Sequence, residues 1–163
     1  MNSIHRIDLP RIVLVGESVM DKLGSICREF DYSSALIVTG STTYNVAGKE
    51  TEKLLGSEEI ETCTTLVSDA TRETVDKVKS EIDENRSDVV IGIGGGRNID
   101  VAKVSSYEMG RFFISVPTVA SHDGIASNLA SLKGSDRPYS VAAGSPIAVV
   151  MDSKVTPESL YYP

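Results

Sequence analysis

The sequence has 163 residues, of which 40% are hydrophobic and 24% are charged, which is the composition of a globular domain with a core. Its formal net charge of −7 repels nucleic acids and anionic lipid surfaces, so neither is an expected partner. No apolar run approaches the ~18 residues of a membrane span, and the N-terminus lacks the apolar segment of a signal peptide. Cys27 and Cys63 have neither metal-like spacing nor a disulfide-rich context, so we predict free thiols in a cytoplasmic protein.

Apolar runs alternate with helical periodicities along the chain. Buried strands are predicted at residues 11–16, 34–40, 60–67, 88–94, 111–117 and 147–152. After the first strand, spacings of three and four predict a helix with one buried face, formed by Met20, Leu23, Cys27 and Phe30. A second helix is predicted from the apolar face of Val75, Val78 and Ile82. In it Glu73 and Lys77 are expected to pair across one turn, and a third helix is predicted at 98–109.

This alternation predicts the α/β class, with a Rossmann-like parallel sheet covered by helices on both faces. After Pro117 the helical period is lost, and ASLKGSDRPYSVAAG (130–144) predicts a short β-hairpin around its Gly-Ser-Asp turn. We expect residues 1–152 to form one nucleotide-binding domain. Residues 153–163 would begin a linker, with an apolar cluster at Leu160, Tyr161 and Tyr162.

The stretch IGIGGGRNIDVAK (91–103) joins a predicted strand to a predicted helix through three glycines. Glycine lets a ligand approach the backbone closely, and a helix N-terminus favours an anion, so the turn predicts a phosphate or pyrophosphate site with Asn98 as the helix cap. Arg97 breaks the GxGxxG spacing, and no P-loop lysine follows. The alternative is that the glycines only permit close strand–helix packing. For Asp100 and Lys103 the spacing predicts a surface ion pair of at most about 0.5 kcal/mol.

The stretch SVPTVASHDGIAS (115–127) leaves the next strand at the same edge of the sheet. Its small hydroxyl side chains can bond a nucleotide, and Asp123 can accept a hydrogen bond from a substrate hydroxyl. The His122–Asp123 pair alone does not predict a zinc site, because zinc takes three or four convergent ligands.

Together, GIGGGRNIDVAK (92–103) and FFISVPTVASHDGIAS (112–127) resemble the sn-glycerol-1-phosphate dehydrogenase family. This family lies in the superfamily of iron-containing alcohol dehydrogenases, glycerol dehydrogenase and dehydroquinate synthase. LIVTGSTT (36–43) and PIAVVMDSKV (146–155) extend the resemblance along the chain. It implies a nucleotide domain followed by an all-helical domain. It also implies reduction of dihydroxyacetone phosphate to sn-glycerol 1-phosphate by NADH or NADPH, which supplies the backbone of archaeal membrane lipids.

The resemblance also assigns site residues. Asp123 would contact the substrate. Cofactor contacts would come from Gly94, Gly95, Gly96, Arg97, Asn98, Ile99, Asp100, Thr118, Val119, Ala120, Ser121 and Ser127.

The family's catalytic zinc is held by an Asp and two His of the helical domain, so we expect its ligands beyond Pro163 and none in this chain. Asp152 belongs to a strand end and is not expected to be a ligand. The resemblance implies that zinc polarises the ketone while the nicotinamide carries the hydride. This chain would then be the dinucleotide-binding half, inactive by itself, of an enzyme expected to be a homo-oligomer.

The sequence leaves two alternatives open. One is another polyol or alcohol dehydrogenase of the same superfamily, although ASHDGIAS (120–127) argues against it. The other is a nucleotide-binding module that performs no chemistry. For the cofactor, residues 39–42 follow an early strand without a carboxylate that would repel a 2′-phosphate, which predicts that NADP is accepted along with NAD.

Overall fold

The computed structural model describes residues 8–119 and 127–156. Its main sheet has six parallel strands: β1 (Ile12–Gly16), β2 (Ser34–Thr39), β3 (Glu61–Leu66), β4 (Val89–Gly94), β5 (Phe112–Pro117) and β8 (Ala148–Asp152). Their order in the sheet is β1-β8-β5-β4-β2-β3. Each predicted strand therefore forms, and all are shorter than predicted by a residue or two.

The helices lie between these strands. They are α1 (Leu23–Glu29), α2 (Ser41–Thr43), α3 (Lys49–Ser57), α4 (Arg72–Glu84) and α5 (Gly96–Glu108). A 3₁₀ turn (Val19–Lys22) precedes α1, so the predicted first helix is split into two. A π-helix (Tyr44–Gly48) joins α2 to α3, which makes residues 41–57 one helical segment that the sequence analysis did not predict.

The apolar residues of the inner strands alternate between two cores, one on each face of the sheet. Ile37 and Ile91 face α1 and α3 in the first core, whereas Leu36 and Val90 face α4 and α5 in the second. Parallel strands that are covered on both faces read as continuous apolar runs, and β2 and β4 have such runs. The predicted Rossmann-like fold with helices on both faces is thus confirmed. The expected Glu73–Lys77 pair is wrong, because the Lys77 ammonium lies 3.8 Å from the Glu81 carboxylate instead.

The predicted hairpin is also confirmed. Strands β6 (Leu129–Leu132) and β7 (Tyr139–Ala142) pair antiparallel and form a separate two-stranded sheet. Ala130 and Leu132 on β6 pack into the same core as α4 and α5, so the hairpin is attached to that face of the molecule. The apolar cluster expected at residues 160–162 lies outside the described residues.

The helices and the thiols of residues 8–119 and 127–156 agree with the sequence in two respects. No helix in them is both long and apolar enough to cross a bilayer. Cys27 and Cys63 are both free thiols, as predicted; the first is buried and the second is exposed.

The buried thiol leads to a prediction about stability at alkaline pH. Burial raises the pKa of Cys27 from its ordinary value of 9.0 to about 12. Between these values the unfolded chain releases the proton while the folded chain keeps it, so stability falls as pH rises. The slope reaches about 1.4 kcal/mol per pH unit. We therefore expect the stability difference between wild type and Cys27→Ala to shrink from pH 9 to pH 11 in urea denaturation under reducing conditions. Cys63→Ala, which removes the exposed thiol, should keep the wild-type slope; parallel curves for wild type and Cys27→Ala would contradict the prediction.

Candidate functional site

The carboxyl ends of β2, β3 and β4 meet at a cleft of about 530 Å³. Because parallel strands end at the same edge of the sheet, the segments that follow them converge there, where ligands of such sheets bind. The cleft is lined by Gly40, Ser41, Thr42, Thr43, Leu66, Val67, Ser68, Gly95, Gly96, Arg97 and Asn98.

Two glycines of the 91–103 stretch are explained by internal packing. At Gly92 an added Cβ would lie 2.8 Å from the Ala102 Cβ, so glycine lets α5 pack closely on β4. At Gly94 the backbone φ is +136°, a conformation that L side chains rarely adopt. A Cβ there would lie 2.1 Å from the amide nitrogen of Asn98. The packing alternative considered for the glycines therefore holds at these two positions.

Gly96 is different, because an added Cβ there would meet nothing within 4 Å. It is exposed, is the first residue of α5 and lies on the wall of the cleft. The preceding Gly95 caps the helix without a side-chain hydrogen bond, so the first turn presents its N–H groups and its positive dipole end to the cleft. A side chain at Gly96 would extend from the cleft wall, and the N–H groups of this turn have the chemistry that binds an anion such as a phosphate.

Asn98 is not the helix cap, which corrects the sequence prediction. It is the third residue of α5, and its side-chain amide donates to the Ile93 carbonyl oxygen (3.0 Å) and to Thr43 Oγ1 (3.2 Å). Thr43 Oγ1 in turn lies 2.7 Å from Thr39 Oγ1. This network holds the turn after β4 against the turn after β2, so Asn98 shapes two walls of the cleft. Because Gly95 adopts extended backbone and provides the cap, the Asn98 side chain is available for this role.

Arg97 carries the only charge on the cleft wall among the described lining residues. Its guanidinium Nη1 donates to the backbone carbonyl oxygen of Ser68, just after β3. The side chain therefore extends from α5 along the cleft toward β3.

Ile99 and Asp100 do not line the cleft. The Ile99 side chain is buried in the core, and its N–H donates to the Gly95 carbonyl oxygen at 3.2 Å. The Asp100 carboxylate accepts the N–H of Ser131 in β6 at 3.0 Å. Ile99 therefore contributes to the packing of α5, and Asp100 holds the hairpin against that helix.

Lys103 is fully buried, so the predicted surface ion pair with Asp100 is wrong. Its ammonium donates to the carbonyl oxygens of Ser127 (2.9 Å) and Leu129 (3.2 Å). Burial lowers the pKa of Lys103 and raises that of Asp100, while their mutual attraction opposes both shifts. We name Asp100 and Lys103 together the α5 clamp, because both hold backbone at or beside β6. A lysine three residues after an aspartate is common on helix surfaces, so the sequence held no signal for this role.

The second predicted stretch is described only in part. The Thr118 N–H donates to the Gly94 carbonyl oxygen at 3.0 Å, and Val119 lies against Gly95, so both residues join the glycine turn. Ser127 lies at the start of the hairpin, where its hydroxyl accepts the Leu129 N–H at 3.0 Å. The predicted contacts Ala120, Ser121 and Asp123 lie outside the described residues.

Asp152 has a structural role. Its buried carboxylate accepts the N–H groups of Ser18 (3.2 Å), Met20 (3.0 Å) and Lys154 (2.9 Å), which holds the 3₁₀ turn against the end of β8. Within residues 8–119 and 127–156, no three His, Cys, Asp or Glu side chains converge as a metal site would require.

Comparison with known proteins shows relatives along nearly the whole chain. The glycerol-1-phosphate dehydrogenase (NAD(P)+) of Methanosarcina barkeri is 46% identical over 155 residues, which cover 94% of this chain and 44% of that protein. The enzyme of the same name from Aeropyrum pernix is 45% identical, covering 96% of this chain and 45% of its own length. The chain thus spans less than half the length of these curated relatives.

Solved structures agree on the fold. A 1,3-propanediol oxidoreductase matches with a TM-score of 0.85 at 14% identity, covering 94% of this chain and 47% of its own. Glycerol dehydrogenase of Schizosaccharomyces pombe matches with a TM-score of 0.80 at 20% identity, covering 95% and 40%. The family model described as iron-containing alcohol dehydrogenase matches residues 14–159. The chain therefore belongs to the iron-containing alcohol dehydrogenase family.

Proposed function

We propose that this chain is the dinucleotide-binding part of an NAD(P)-dependent glycerol-1-phosphate dehydrogenase, which reduces dihydroxyacetone phosphate to sn-glycerol 1-phosphate. Support comes from relatives of that name at 45–46% identity over 94–96% of this chain. The observation that carries the binding role is the unfilled space at Gly96, on the cleft wall at the N-terminus of α5. The activity is proposed for the whole protein, because the chain covers 44–45% of those relatives.

In this proposal the chain binds and orients the cofactor. The amides of the first turn of α5 hold the dinucleotide phosphates, and Gly95 and Gly96 let them approach the backbone. Thr118, Val119 and Ser127, with Ala120 and Ser121, line the remainder of the cofactor site. When bound, the nicotinamide supplies the hydride. Ile99 and Asp100 act indirectly, through the position of α5, and Asp123 contacts the substrate.

The domain limits, the location and the assembly are part of the proposal. We assign residues 1–152 to the nucleotide-binding domain, since the last strand of the sheet ends at Asp152, and residues 153–163 to a linker toward a helical domain that holds zinc. Two free thiols are typical of the reducing cytoplasm, where the product would serve archaeal lipid synthesis. Exposed Val13 and Val15 on the edge strand β1 favour a homo-oligomer.

Gly96→Val tests the binding role directly. The added Cβ would meet no protein atom within 4 Å and the side chain would extend from the cleft wall, so we expect dinucleotide affinity to fall at least about 10-fold with little change in folding stability. Isothermal titration calorimetry of the chain with NAD and with NADP measures the affinity, and thermal unfolding measures the stability.

Gly56→Val is the matched control, because Gly56 is also an exposed helical glycine with nothing within 4 Å of an added Cβ, and it lies outside the cleft. Unchanged dinucleotide affinity in Gly96→Val would show that the phosphates do not bind beside Gly96 in this cleft. Failure of the wild-type chain to bind either dinucleotide would refute the proposed function.

Another polyol or alcohol dehydrogenase of the family is the second candidate. The solved structures with those names are 14–20% identical to this chain, so they support the shared fold and not a substrate. Assays of the whole protein with dihydroxyacetone phosphate and with free dihydroxyacetone separate the two candidates. We expect turnover only with the phosphorylated ketone.

A further inference from the structure

We propose that Arg97 recognises the 2′-phosphate of NADP and thereby determines the cofactor specificity of this site. The inference rests on the proposed dinucleotide-binding function and extends it to the adenosine end of the cofactor. Arg97 is the one ionisable side chain among the described residues that line the cleft.

The residues that follow β2 lack a group that would exclude NADP. In dinucleotide-binding sheets a carboxylate near the end of an early strand accepts the ribose 2′-hydroxyl and repels a 2′-phosphate. Here Gly40, Ser41 and Thr42 follow β2 and line the cleft, and no carboxylate lies among the described lining residues. Hydroxyl and backbone N–H groups at this point donate hydrogen bonds to a phosphate, so the site lacks the usual element that selects NAD.

The Arg97 side chain points away from the glycine turn from which it starts. Arg97 starts at the first turn of α5, where the pyrophosphate is expected, but its guanidinium binds the Ser68 carbonyl oxygen beyond β3. Strand β3 is the neighbour of β2 in the sheet. The cation is therefore held toward the β2–β3 side of the cleft, where the ribose of the adenosine would lie, and away from the glycine turn after β4.

The chemistry of this contact suits a phosphate. A guanidinium has five N–H donors, and the bond from Nη1 to Ser68 uses one of them without neutralising the charge. Arg97 is exposed, so it can turn from a neutral carbonyl to a dianion at little cost in packing. Bidentate binding of a phosphate by arginine is then stronger than the bond it replaces.

Calorimetric titration of wild type and Arg97→Met with NADP and NAD tests the inference. We expect Arg97→Met to weaken NADP binding about 10-fold, the size of one charge-assisted hydrogen bond, and to change NAD binding less than about 2-fold. Adenosine 2′,5′-bisphosphate and 5′-AMP form a second pair that isolates the adenosine end, and the same selective loss is expected. Arg97→Lys should retain part of the NADP affinity, since it keeps the charge and loses the planar fork.

Arg111→Met serves as the control. Arg111 is exposed and lies just before the amino end of β5, whereas the cleft lies at the carboxyl ends of the strands. This substitution should leave both affinities unchanged. Equal losses of NAD and NADP affinity in Arg97→Met would indicate that Arg97 binds the pyrophosphate, which would overturn the inference. Unchanged affinity for both cofactors would overturn it as well. Binding of neither dinucleotide by wild type would instead refute the proposed function on which the inference rests.

Discussion

Gly94→Ala should lower the free energy of unfolding by about 3–5 kcal/mol, because two penalties add at this position. The backbone φ of +136° is unfavourable for any L side chain. The new Cβ would also lie 2.1 Å from the Asn98 amide nitrogen, so Asn98 would have to move. That movement breaks its bonds to the Ile93 carbonyl oxygen and to Thr43 Oγ1, which hold the two turns of the cleft together. Urea denaturation measures the loss.

A double-mutant cycle separates the two penalties. Asn98→Ala removes the group that the new Cβ would strike, so Gly94→Ala should cost less in that background than in wild type. Gly96→Ala is the control within the same turn, since an added Cβ there meets nothing, and it should change stability by less than about 0.5 kcal/mol. A loss below about 1 kcal/mol for Gly94→Ala would show that the turn adapts easily.

Lys103→Met is the second substitution with a large expected effect. Methionine keeps most of the buried stem but removes the ammonium, which leaves the carbonyl oxygens of Ser127 and Leu129 without this donor and Asp100 without its nearby positive charge. Hydrogen bonds made by a charged group contribute about 1.5–3 kcal/mol each, and these two are only partly buried, so we expect a loss of about 2–4 kcal/mol. Amide hydrogen exchange should also quicken in residues 127–132, which the α5 clamp holds.

Lys53→Met is the matched control, because Lys53 is an exposed lysine on α3. Its stability should stay within about 0.5 kcal/mol of wild type. If Lys103→Met were equally stable and its hairpin exchanged at the wild-type rate, the buried ammonium would not be what attaches β6 to α5. If the variant kept the wild-type stability and exchanged faster only in the hairpin, the α5 clamp would order the hairpin without stabilising the whole fold.

Patterns among residues that are close in the sequence, such as apolar runs and turn residues, predicted the fold well. The apolar runs of β2 and β4 are buried on both faces, and the Gly-Ser-Asp segment does form the turn region between β6 and β7. Residues 41–57 were missed because their helical segment contains a π-helix, which disturbs the 3.6-residue period, and few of its side chains are apolar and buried.

Roles that depend on distant residues could not be predicted in the same way. Asn98 bonds Thr43, which is 55 residues away, and this contact exists only because β2 and β4 are neighbours in the sheet. The spacing of Lys103 on its helix predicts a surface residue, and only the position of the hairpin against α5 shows that its ammonium is bound there. Strand order was the missing information in both cases, since sequence periodicity shows which face is buried but not what covers it.

The order of the strands also has a consequence for how the chain folds. Strand β1 lies at the edge of the sheet and pairs with β8, and the contact between Ser18 and Asp152 beside them spans 134 residues. During synthesis β1 emerges before the other described strands, whereas its partner β8 emerges after them, so β1 stays unpaired while the inner strands assemble. Val13 and Val15 remain 57% and 55% exposed even after pairing. Unpaired β1 is therefore the segment that we expect chaperones to bind and that could aggregate. Its pairing with β8 should be among the last steps of folding.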